Sequence, residues 1–343
     1  MLTIQDIIGV FILGAIISYS FTPLVRHIAF KIKLLDHPNI NKSHAHPIPL
    51  LGGLSIYMAF FLPIIFVYRF DAALVSILIG GTVLLLLGII DDKLGMMPSM
   101  KLTGQLLAAL IVYKMGIRVI TCEDYYLSMF FTCFWIIGIT NAFNLLDNLN
   151  GLSSGIGGIA SLFFGILAIC TGQRYVAMLA FSLAGACFGF LKHNFPKAKI
   201  FMGDSGSMFL GFTLSCIAIL GSWETDKISI SLALPIIVLG YPIFDTALVT
   251  FLRIREGRSI FQGGRDHSSH MLASLGFKKT RAVLLIYLIC ACLGLSAVFV
   301  LCLPIKYGAP LAIVAILSMI IFGLYLTAVR SRSAKLKRTK NND

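Results

Sequence analysis

Long apolar runs separated by short polar segments cover almost the whole chain. A helix that spans a lipid bilayer needs about 20 mostly apolar residues. Eleven segments meet or approach that length: residues 4–25, 50–68, 72–90, 102–121, 127–146, 151–171, 175–191, 205–222, 228–251, 281–303 and 308–329. The pattern therefore predicts an all-α fold, that of a polytopic integral membrane protein with about eleven transmembrane helices.

The composition supports this prediction and excludes several other classes of protein. Hydrophobic residues make up 58% of the chain and charged residues only 13%, whereas a soluble domain carries about 25% charged residues. So few charges cannot cover a soluble enzyme of this length, and they argue equally against a disordered protein or an ordinary nucleic-acid-binding domain. We expect residues 1–330 to form a single transmembrane domain, followed by a basic cytoplasmic tail, residues 331–343.

The distribution of Lys and Arg predicts the orientation of the chain in the membrane. One set of loops, together with the C-terminal tail, carries 22 of the 28 Lys and Arg residues. Because cytoplasmic loops are enriched in positive residues, this set is cytoplasmic, which puts the N-terminus outside and the C-terminus in the cytoplasm. The net charge of +13 is then mainly a topology signal. We expect the tail to contact anionic lipids and expect no nucleic-acid partner.

The cytoplasmic loops predicted in this way also hold the unusual polar residues. These loops lie near residues 26–49, 91–101, 147–150, 192–204 and 253–280. The chain has only 15 acidic residues, and a notable group of them falls on this face: Asp91, Asp92, Asp147, Asp204 and Asp266. Carboxylates at the ends of apolar helices are costly to desolvate, so their concentration on one face indicates a function.

Several carboxylates on one face suit a hard, oxygen-ligated cation. Mg²⁺ is such an ion, and it usually keeps waters and bridges substrate phosphates. Basic side chains on the same face would bind the rest of a polyanion: Lys101, Arg265, His267 and His270. The residues alone therefore predict a cytoplasmic site for Mg²⁺ and a diphosphate at the membrane surface.

Simpler interpretations compete for some of these positions. A lone Asp after an apolar run is more often a helix cap, but the adjacent carboxylates of Asp91 and Asp92 repel each other, and a cap does not need both. Asp71 is interpreted as a cap or loop residue. Asp245 lies inside an apolar segment, and two hypotheses remain for it: a structural role, or the support of a substrate-binding residue. His44, just before a Pro- and Gly-rich turn, is a ligand or a structural residue.

Five motifs together make the sequence resemble a known family. They are Pro47-Ile-Pro-Leu-Leu-Gly-Gly53, Leu87-Gly-Ile-Ile-Asp-Asp92, the segment from Asn141 to Leu152, the segment from Asn194 to Asp204, and Arg265-Asp-His-Ser-Ser-His270. In this order they resemble the polyprenyl-phosphate N-acetylhexosamine-1-phosphate transferases, closer to the WecA/TagO-like branch than to the MraY branch. The resemblance runs from about residue 43 to residue 272.

The resemblance implies an activity and roles for particular residues. The enzyme would be a phosphotransferase that moves N-acetylhexosamine 1-phosphate, with GlcNAc 1-phosphate as the leading candidate, from a UDP-sugar to undecaprenyl phosphate and releases UMP. Asn144 and Asp204 match metal ligands for Mg²⁺, with Mn²⁺ as an alternative. The matched catalytic residues are Asp91, Asp92 and His267. The matched substrate-binding residues are His44, Lys101, Asn141, Asp147, Asn148, Asn150, Asn194, Phe201, Arg265, Asp266 and His270.

The resemblance also implies a cellular setting. The protein would be a multi-pass component of the bacterial inner membrane, with its active site on the cytoplasmic face. It would catalyse the first membrane step of a cell-surface polysaccharide pathway, such as cell-wall or lipopolysaccharide O-antigen biosynthesis. Its partners would be the UDP-N-acetylhexosamine, the polyprenyl phosphate and the bilayer. A homodimer is left open.

Two other functions remain as alternatives. The first is phospho-MurNAc-pentapeptide transfer in peptidoglycan synthesis. The loop Arg265–His270 lacks the HIHH-like or triple-His string of the better-known branches, which argues against this alternative. A separate departure from the family pattern is Asn150, where bacterial members often have Asp, but its amide can still pair with uracil. The second is a cation-coupled transporter, since intramembrane acids often mark ion paths. A transporter places such acids near the midplane between inverted repeats, whereas here they cluster on one face.

Overall fold

The chain is helical over most of its length, as the apolar pattern predicts. The computed structural model describes residues 2–38, 46–119, 124–221, 223, 233–260, 264 and 266–340, without the side chains of residues 331–340. The helices are α1 (Ile4–Lys31), α2 (Gly52–Val67), α3 (Ala72–Leu94), α4 (Pro98–Lys114), α5 (Tyr125–Leu146), α6 (Leu152–Cys170), α7 (Arg174–Asn194), α8 (Gly203–Leu220), α9 (Ala233–Val238), α10 (Gly240–Arg255), α11 (Ser268–Ser274), α12 (Lys279–Cys302) and α13 (Ile305–Lys340). Two short antiparallel strands, β1 (Leu35–Asp36) and β2 (Ile48–Pro49), complete the described part.

Eight helices in the described part are long and apolar enough to cross a membrane. They are α1, α3, α5, α6, α7, α8, α12 and the portion of α13 up to Arg330. The other three predicted spans are also helical in part. The spans 50–68 and 102–121 correspond to the shorter helices α2 and α4, and the span 228–251 is divided between α9 and α10. The chain is therefore an all-α, multi-pass membrane protein. The count of eleven spans and the orientation of the termini stay predictions.

The helices group into two units, residues 1–226 and residues 227–343. In the first unit α7 packs against α1, α2 and α6, while α8 packs against α2, α3, α5 and α6. Helix α8 is buried along almost its whole length, so it forms the centre of this unit. In the second unit α12 packs against α9 and α13. The single transmembrane domain proposed for residues 1–330 stays a prediction.

Glycines allow α2 and α3 to approach the first turn of α8. A Cβ atom on Gly53 would clash with the backbone of Gly206, and a Cβ on Gly88 would clash with the backbone of Ser205. Membrane helices commonly use such small residues for close packing, because backbones then come into van der Waals contact. Asp71 begins α3 as the predicted cap, since its carboxylate accepts a hydrogen bond from the backbone N–H of Leu74 at 2.7 Å.

The Pro- and Gly-rich turn before α2 is tied to the segment before α8. The N–H of Phe201 donates to the carbonyl of Pro49 at 2.9 Å, and the N–H groups of Gly52 and Gly53 donate to the carbonyls of Phe201 and Met202 at 3.0 and 2.9 Å. These backbone hydrogen bonds fix where α8 begins. The position of Asp204, in the first turn of α8, follows from them.

Replacing Gly88 by Ala should destabilise the protein by about 1–3 kcal/mol, the usual cost of overpacking. The added methyl group meets the backbone of Ser205, and this outweighs the better helix propensity of Ala, about 1 kcal/mol. Gly138→Ala is the matched control, because a Cβ there meets nothing within 4 Å. Thermal unfolding in detergent measures both variants. A Tm for Gly88→Ala equal to that of the control would contradict the close contact.

Candidate functional site

The ends of four helices bring five polar side chains together in the first unit. Asp91 and Asp92 lie in the last turn of α3, Lys101 in the first turn of α4, Asn144 near the end of α5 and Asp204 in the first turn of α8. We call this group the carboxylate centre. All five were predicted from the sequence, and the fold joins them across as many as 112 positions of the chain, as in the contact between Asp92 and Asp204.

Lys101 bridges two carboxylates of the centre. Its ammonium group forms ion pairs with Asp91 and, at 2.7 Å, with Asp204 Oδ2. The other oxygen of Asp91 accepts the backbone N–H of Met96 at 2.6 Å. The side chain of Asp91 is only 6% exposed, whereas those of Lys101 and Asp204 are 23% and 32% exposed. The bridge thus reaches from the protein interior to a surface that a ligand can approach.

Asp92 caps α8 from a neighbouring helix. Its carboxylate accepts hydrogen bonds from the backbone N–H groups of Asp204 at 2.9 Å and Ser205 at 3.3 Å. The first N–H groups of a helix have no partner within the helix, and Met202, the residue before α8, supplies no side-chain cap. A carboxylate is favourable there because of the helix dipole as well. Asp92 therefore fixes the backbone that carries Asp204, while its predicted catalytic role stays a prediction.

Asn144 connects α5 to the same turn of α8. Its side-chain amide donates to Asp204 Oδ1 and to Ser207 Oγ, both at 3.0 Å. Within the described residues the amide oxygen of Asn144 has no hydrogen bond, so it remains available as a ligand. Oxygens of Asp204 and Asn144 are the type of donor that Mg²⁺ takes, with waters and substrate phosphates completing its octahedron.

The charge of the site also fits a bound cation. Asp147 follows directly after α5, and burial together with the charges of Asp204 and Asp92 raises its pKa to about 8. The carboxylates of Asp92 and Asp204 thus act on Asp147 as negative charges. Among the residues that the structure describes, no three His, Cys, Asp or Glu side chains are arranged as a complete metal cage. A divalent ion at this centre would therefore depend on Asn144, water and substrate oxygens for part of its coordination.

Asn194 holds the loop between α7 and α8 in place. Its buried side chain accepts the backbone N–H of Gly151 at 2.8 Å and donates to the carbonyl of Ile200 at 2.9 Å. The N-terminus of α6 and the segment leading to α8 are thereby joined. The predicted contact of Asn194 with a phosphate stays a prediction, because its amide is engaged inside the protein.

Three other predicted amides lie on or near the end of α5. Asn141 pairs with Gln105 of α4, donating at 2.7 Å and accepting at 3.3 Å. Asn148 donates to the carbonyl of Leu145 at 3.1 Å, and Asn150 donates to that of Pro196 at 3.3 Å. Gln105 was not predicted from the sequence. A neutral polar residue inside the apolar segment 102–121 is the signal that could have revealed it. These contacts give Asn141 a packing role and place Asn148 and Asn150 in the turn before α6.

Phe201 is positioned by its backbone. Its N–H and carbonyl pair with Pro49 and Gly52, as described above, and its side chain is half-buried. The predicted contact of the Phe201 ring with uracil stays a prediction, because these backbone hydrogen bonds do not involve the ring. His44 and Arg265, also predicted to bind substrate, lie outside the described residues.

His267 is held by a buried carboxylate in the second unit. Its Nδ1 lies 2.8 Å from Asp245 Oδ2, and the side chains of Asp245 and His267 are both buried. The ring of His270 lies 6.3 Å from that of His267, measured between centroids. Of the two roles left open for Asp245, the structure favours the support of another residue.

Asp266 lies among three arginines of the same unit. Arg258 and Arg330 donate to Asp266 Oδ1 at 2.9 Å each, and Arg253 donates to Oδ2 at 3.4 Å. Burial by itself raises the pKa of Asp266, but the hydrogen bond from Arg258 and the positive charges of Arg330 and Arg258 outweigh it and hold the pKa below its usual range. Both Asp266 oxygens are thus engaged by the protein, and its predicted contact with substrate stays a prediction. Sequence reasoning did not single out these arginines, which looked like ordinary cytoplasmic charges.

The chain is similar to proteins that are named as polyprenyl-phosphate N-acetylglucosamine-1-phosphate transferases. Residues 74–222 match the family model described as Glycosyl transferase family 4, and this range includes the whole carboxylate centre. The Bacillus subtilis (strain 168) protein named "Probable undecaprenyl-phosphate N-acetylglucosaminyl 1-phosphate transferase" is 33% identical over 303 residues, which cover 85% of this chain and 84% of the relative.

Two further relatives carry names of the same kind. The "Decaprenyl-phosphate N-acetylglucosaminephosphotransferase" of Mycobacterium tuberculosis (strain ATCC 25618 / H37Rv) is 32% identical over 315 residues, 80% of this chain and 78% of the relative. The "Undecaprenyl-phosphate alpha-N-acetylglucosaminyl 1-phosphate transferase" of Escherichia coli (strain K12) is 28% identical over 343 residues, 95% of this chain and 90% of the relative. The similarity thus extends well beyond the range of the family model.

Asp147→Asn should stabilise the metal-free protein, and more so at pH 8 than at pH 5. Folding raises the pKa of this carboxyl group, so the folded state keeps a proton that the unfolded state releases. The group therefore opposes folding more strongly as the pH rises above the pKa that it has in the unfolded state. The uncharged amide removes that dependence. Tm values in EDTA-containing buffer at both pH values measure it. A gain that is the same at pH 5 and pH 8 would contradict the raised pKa.

Proposed function

This chain belongs to glycosyl transferase family 4, and we propose that it transfers N-acetylglucosamine 1-phosphate from UDP-N-acetylglucosamine to undecaprenyl phosphate. It is a membrane-embedded phosphotransferase of that family. The names of the relatives from B. subtilis and E. coli, with undecaprenyl phosphate as acceptor and N-acetylglucosaminyl 1-phosphate as the transferred group, support the choice of substrates. The M. tuberculosis relative is named for a decaprenyl acceptor, and undecaprenyl phosphate is proposed here because the B. subtilis and E. coli relatives are named for it.

The proposed reaction is a phosphoryl transfer. An oxygen of the lipid phosphate attacks the phosphorus that carries the sugar. A new P–O–P bond forms, the P–O bond to the uridine monophosphate breaks, and UMP leaves with the bridging oxygen. Because a phosphate is already ionised near pH 7, this attack needs little proton transfer, and positioning and charge neutralisation supply most of the catalysis.

The observation that carries the proposal is the carboxylate centre. Carboxylates and a lysine from the ends of apolar helices α3, α4 and α8 converge at a point that is partly exposed. A structural ion pair needs no more than two of these groups. The convergence of several of them, with an amide oxygen left available, suits a site that holds a cation and phosphates.

Within the centre we assign different tasks to its charged residues. Lys101 can contact a phosphate oxygen, because its ammonium group has three donors and uses two of them on Asp91 and Asp204. Asp91 orients Lys101 from the buried side. Asp92 keeps Asp204 in place through the cap on α8. Asp91 is retained as the candidate that activates the lipid phosphate, through Lys101 rather than as a general base.

Asp204 and Asn144 are the proposed ligands of Mg²⁺, with Mn²⁺ as an alternative. The ion would neutralise the donor diphosphate and stabilise UMP as it leaves. The available oxygen of Asn144 and the carboxylate of Asp204 beside it support a cation here.

The other predicted residues complete the proposal. Asn148, Asn150 and Phe201 are proposed to hold uracil, with Asn194 and Asp147 supporting the nucleotide side. His267 and His270, with Arg265 and Asp266, are proposed to act on the donor diphosphate and sugar. We place this site on the cytoplasmic side of a bacterial inner membrane, where UDP-sugars are made.

A transfer assay on the purified protein tests the function. Undecaprenyl phosphate and Mg²⁺ are mixed in parallel with labelled UDP-GlcNAc, UDP-GalNAc and UDP-MurNAc-pentapeptide, and both UMP and lipid product are counted. We expect product from UDP-GlcNAc and its loss in EDTA. Product from UDP-MurNAc-pentapeptide alone would move the chain to the alternative branch, and no product from any donor would contradict the proposal.

Asp204→Asn should lower kcat by at least about 100-fold while the Tm changes little, because the substitution removes one anionic oxygen and keeps the shape of the side chain. The expected size corresponds to the loss of an electrostatic contact in the transition state. Asp6→Asn, at the start of α1, is the matched control and should retain activity. Turnover of Asp204→Asn near the wild-type rate at saturating Mg²⁺ would exclude the proposed role.

A further inference from the structure

A buried polar network surrounds His267 in the second unit. Asp245 of α10 is only 1% exposed. One of its oxygens, Oδ2, lies 2.8 Å from His267 Nδ1. The other, Oδ1, accepts the backbone N–H of Ser268 at 2.8 Å and its hydroxyl at 2.5 Å. The hydroxyl of Tyr241 lies 2.6 Å from Ser268 Oγ and closes the network.

Burial makes this network informative. A carboxylate placed in an apolar interior costs several kcal/mol unless its oxygens are hydrogen-bonded, and here both oxygens are. A simple cap on the short helix α11 would need only Oδ1, which serves Ser268. The second oxygen is directed at the imidazole ring, so one residue fixes both the first residue of α11 and the ring of His267.

The carboxylate also decides which ring nitrogen carries the proton. A carboxylate oxygen only accepts, so a neutral His267 must present N–H at Nδ1, which makes its Nε2 an acceptor. We infer that Asp245 is a positioning residue for the transferase reaction: it sets the orientation and the tautomer of His267. This inference rests on the proposed function, in which His267 acts on the donor diphosphate and sugar.

The substitution Asp245→Asn changes the tautomer without changing the shape. The backbone N–H of Ser268 can only donate, so the amide oxygen of Asn must take the place of Oδ1. The amide nitrogen then faces His267 and donates to Nδ1, which requires Nδ1 without a proton and moves the proton to Nε2. The network remains hydrogen-bonded, but the atom that His267 offers to a ligand changes from an acceptor to a donor.

The first experiment is kinetic and uses the full-length protein. Asp245→Asn should lower kcat by about 10- to 100-fold, the usual effect of altering the partner that orients a functional histidine, with a smaller change in KM. In a His267→Gln background the same substitution should have less than about a twofold further effect, because Asp245 acts through His267. An equal loss in both backgrounds overturns the inference.

Thr246→Val is the matched control. Thr246 is the next residue on α10, and its buried hydroxyl has no hydrogen-bond partner among the residues that the structure describes. The substitution is close to isosteric and should keep wild-type kcat and Tm. If Thr246→Val reduced kcat as much as Asp245→Asn, the effect would be one of packing in α10, and the inference would be wrong.

The second experiment does not depend on activity. Nitrogen-15 NMR of histidine-labelled protein distinguishes the two neutral tautomers, and His267→Gln identifies the signal of His267 by its absence. We expect the proton on Nδ1 in the wild type and on Nε2 in Asp245→Asn. A wild-type signal with the proton on Nε2 alone overturns the inference even if Asp245→Asn does not fold.

The two experiments separate this inference from the proposed function. If the wild type transfers no sugar phosphate but its NMR signals are as expected, the function fails and the pairing of Asp245 with His267 stands. If the wild type is active and Asp245→Asn keeps wild-type kcat, the function stands and the positioning role fails.

Discussion

The start of α8 depends on a carboxylate that belongs to another helix. Asp92, on α3, accepts the first free N–H groups of α8, and α3 comes close enough for this because Gly88 carries no side chain. In an apolar environment unpaired N–H groups are costly, so the cap, the glycines and the helix start stabilise one another. Asp204, the adjacent Asn144 and the bridging Lys101 are all placed relative to this turn.

The site therefore combines stability and chemistry in the same groups. The Lys101 ammonium offsets the repulsion between the carboxylates of Asp91 and Asp204, which would otherwise keep these two side chains apart. The same ammonium is 23% exposed, so an anionic ligand can contact it. Asn144 likewise joins α5 to α8 and keeps its amide oxygen available. A site built in this way is preorganised, because the contacts that hold the helices together also hold the functional groups.

The second unit repeats the principle with different residues. Asp245 accepts the backbone N–H of Ser268 at the start of α11 and orients His267. Asp266 accepts hydrogen bonds from Arg253, Arg258 and Arg330. Two adjacent residues, Asp266 and His267, thus serve different networks. One is an ion-pair cluster, and the other holds the imidazole of His267 through its Nδ1.

The apolar helices and many of the site residues could be predicted from the sequence, because the signals for them are local. A membrane helix needs about 20 apolar residues in a row, and an acid at the end of such a helix is costly. The eleven apolar segments, the cap at Asp71 and the residues of the carboxylate centre were found on that basis, and the family followed from motifs around them. The tertiary structure decided which groups pair. That Asp92 is a cap, that Asn141 pairs with Gln105, that Asn194 faces inward and that Asp245 holds His267 depends on contacts between residues 22 to 112 positions apart. Local pattern carries no information about such contacts, because each is fixed by how neighbouring helices pack.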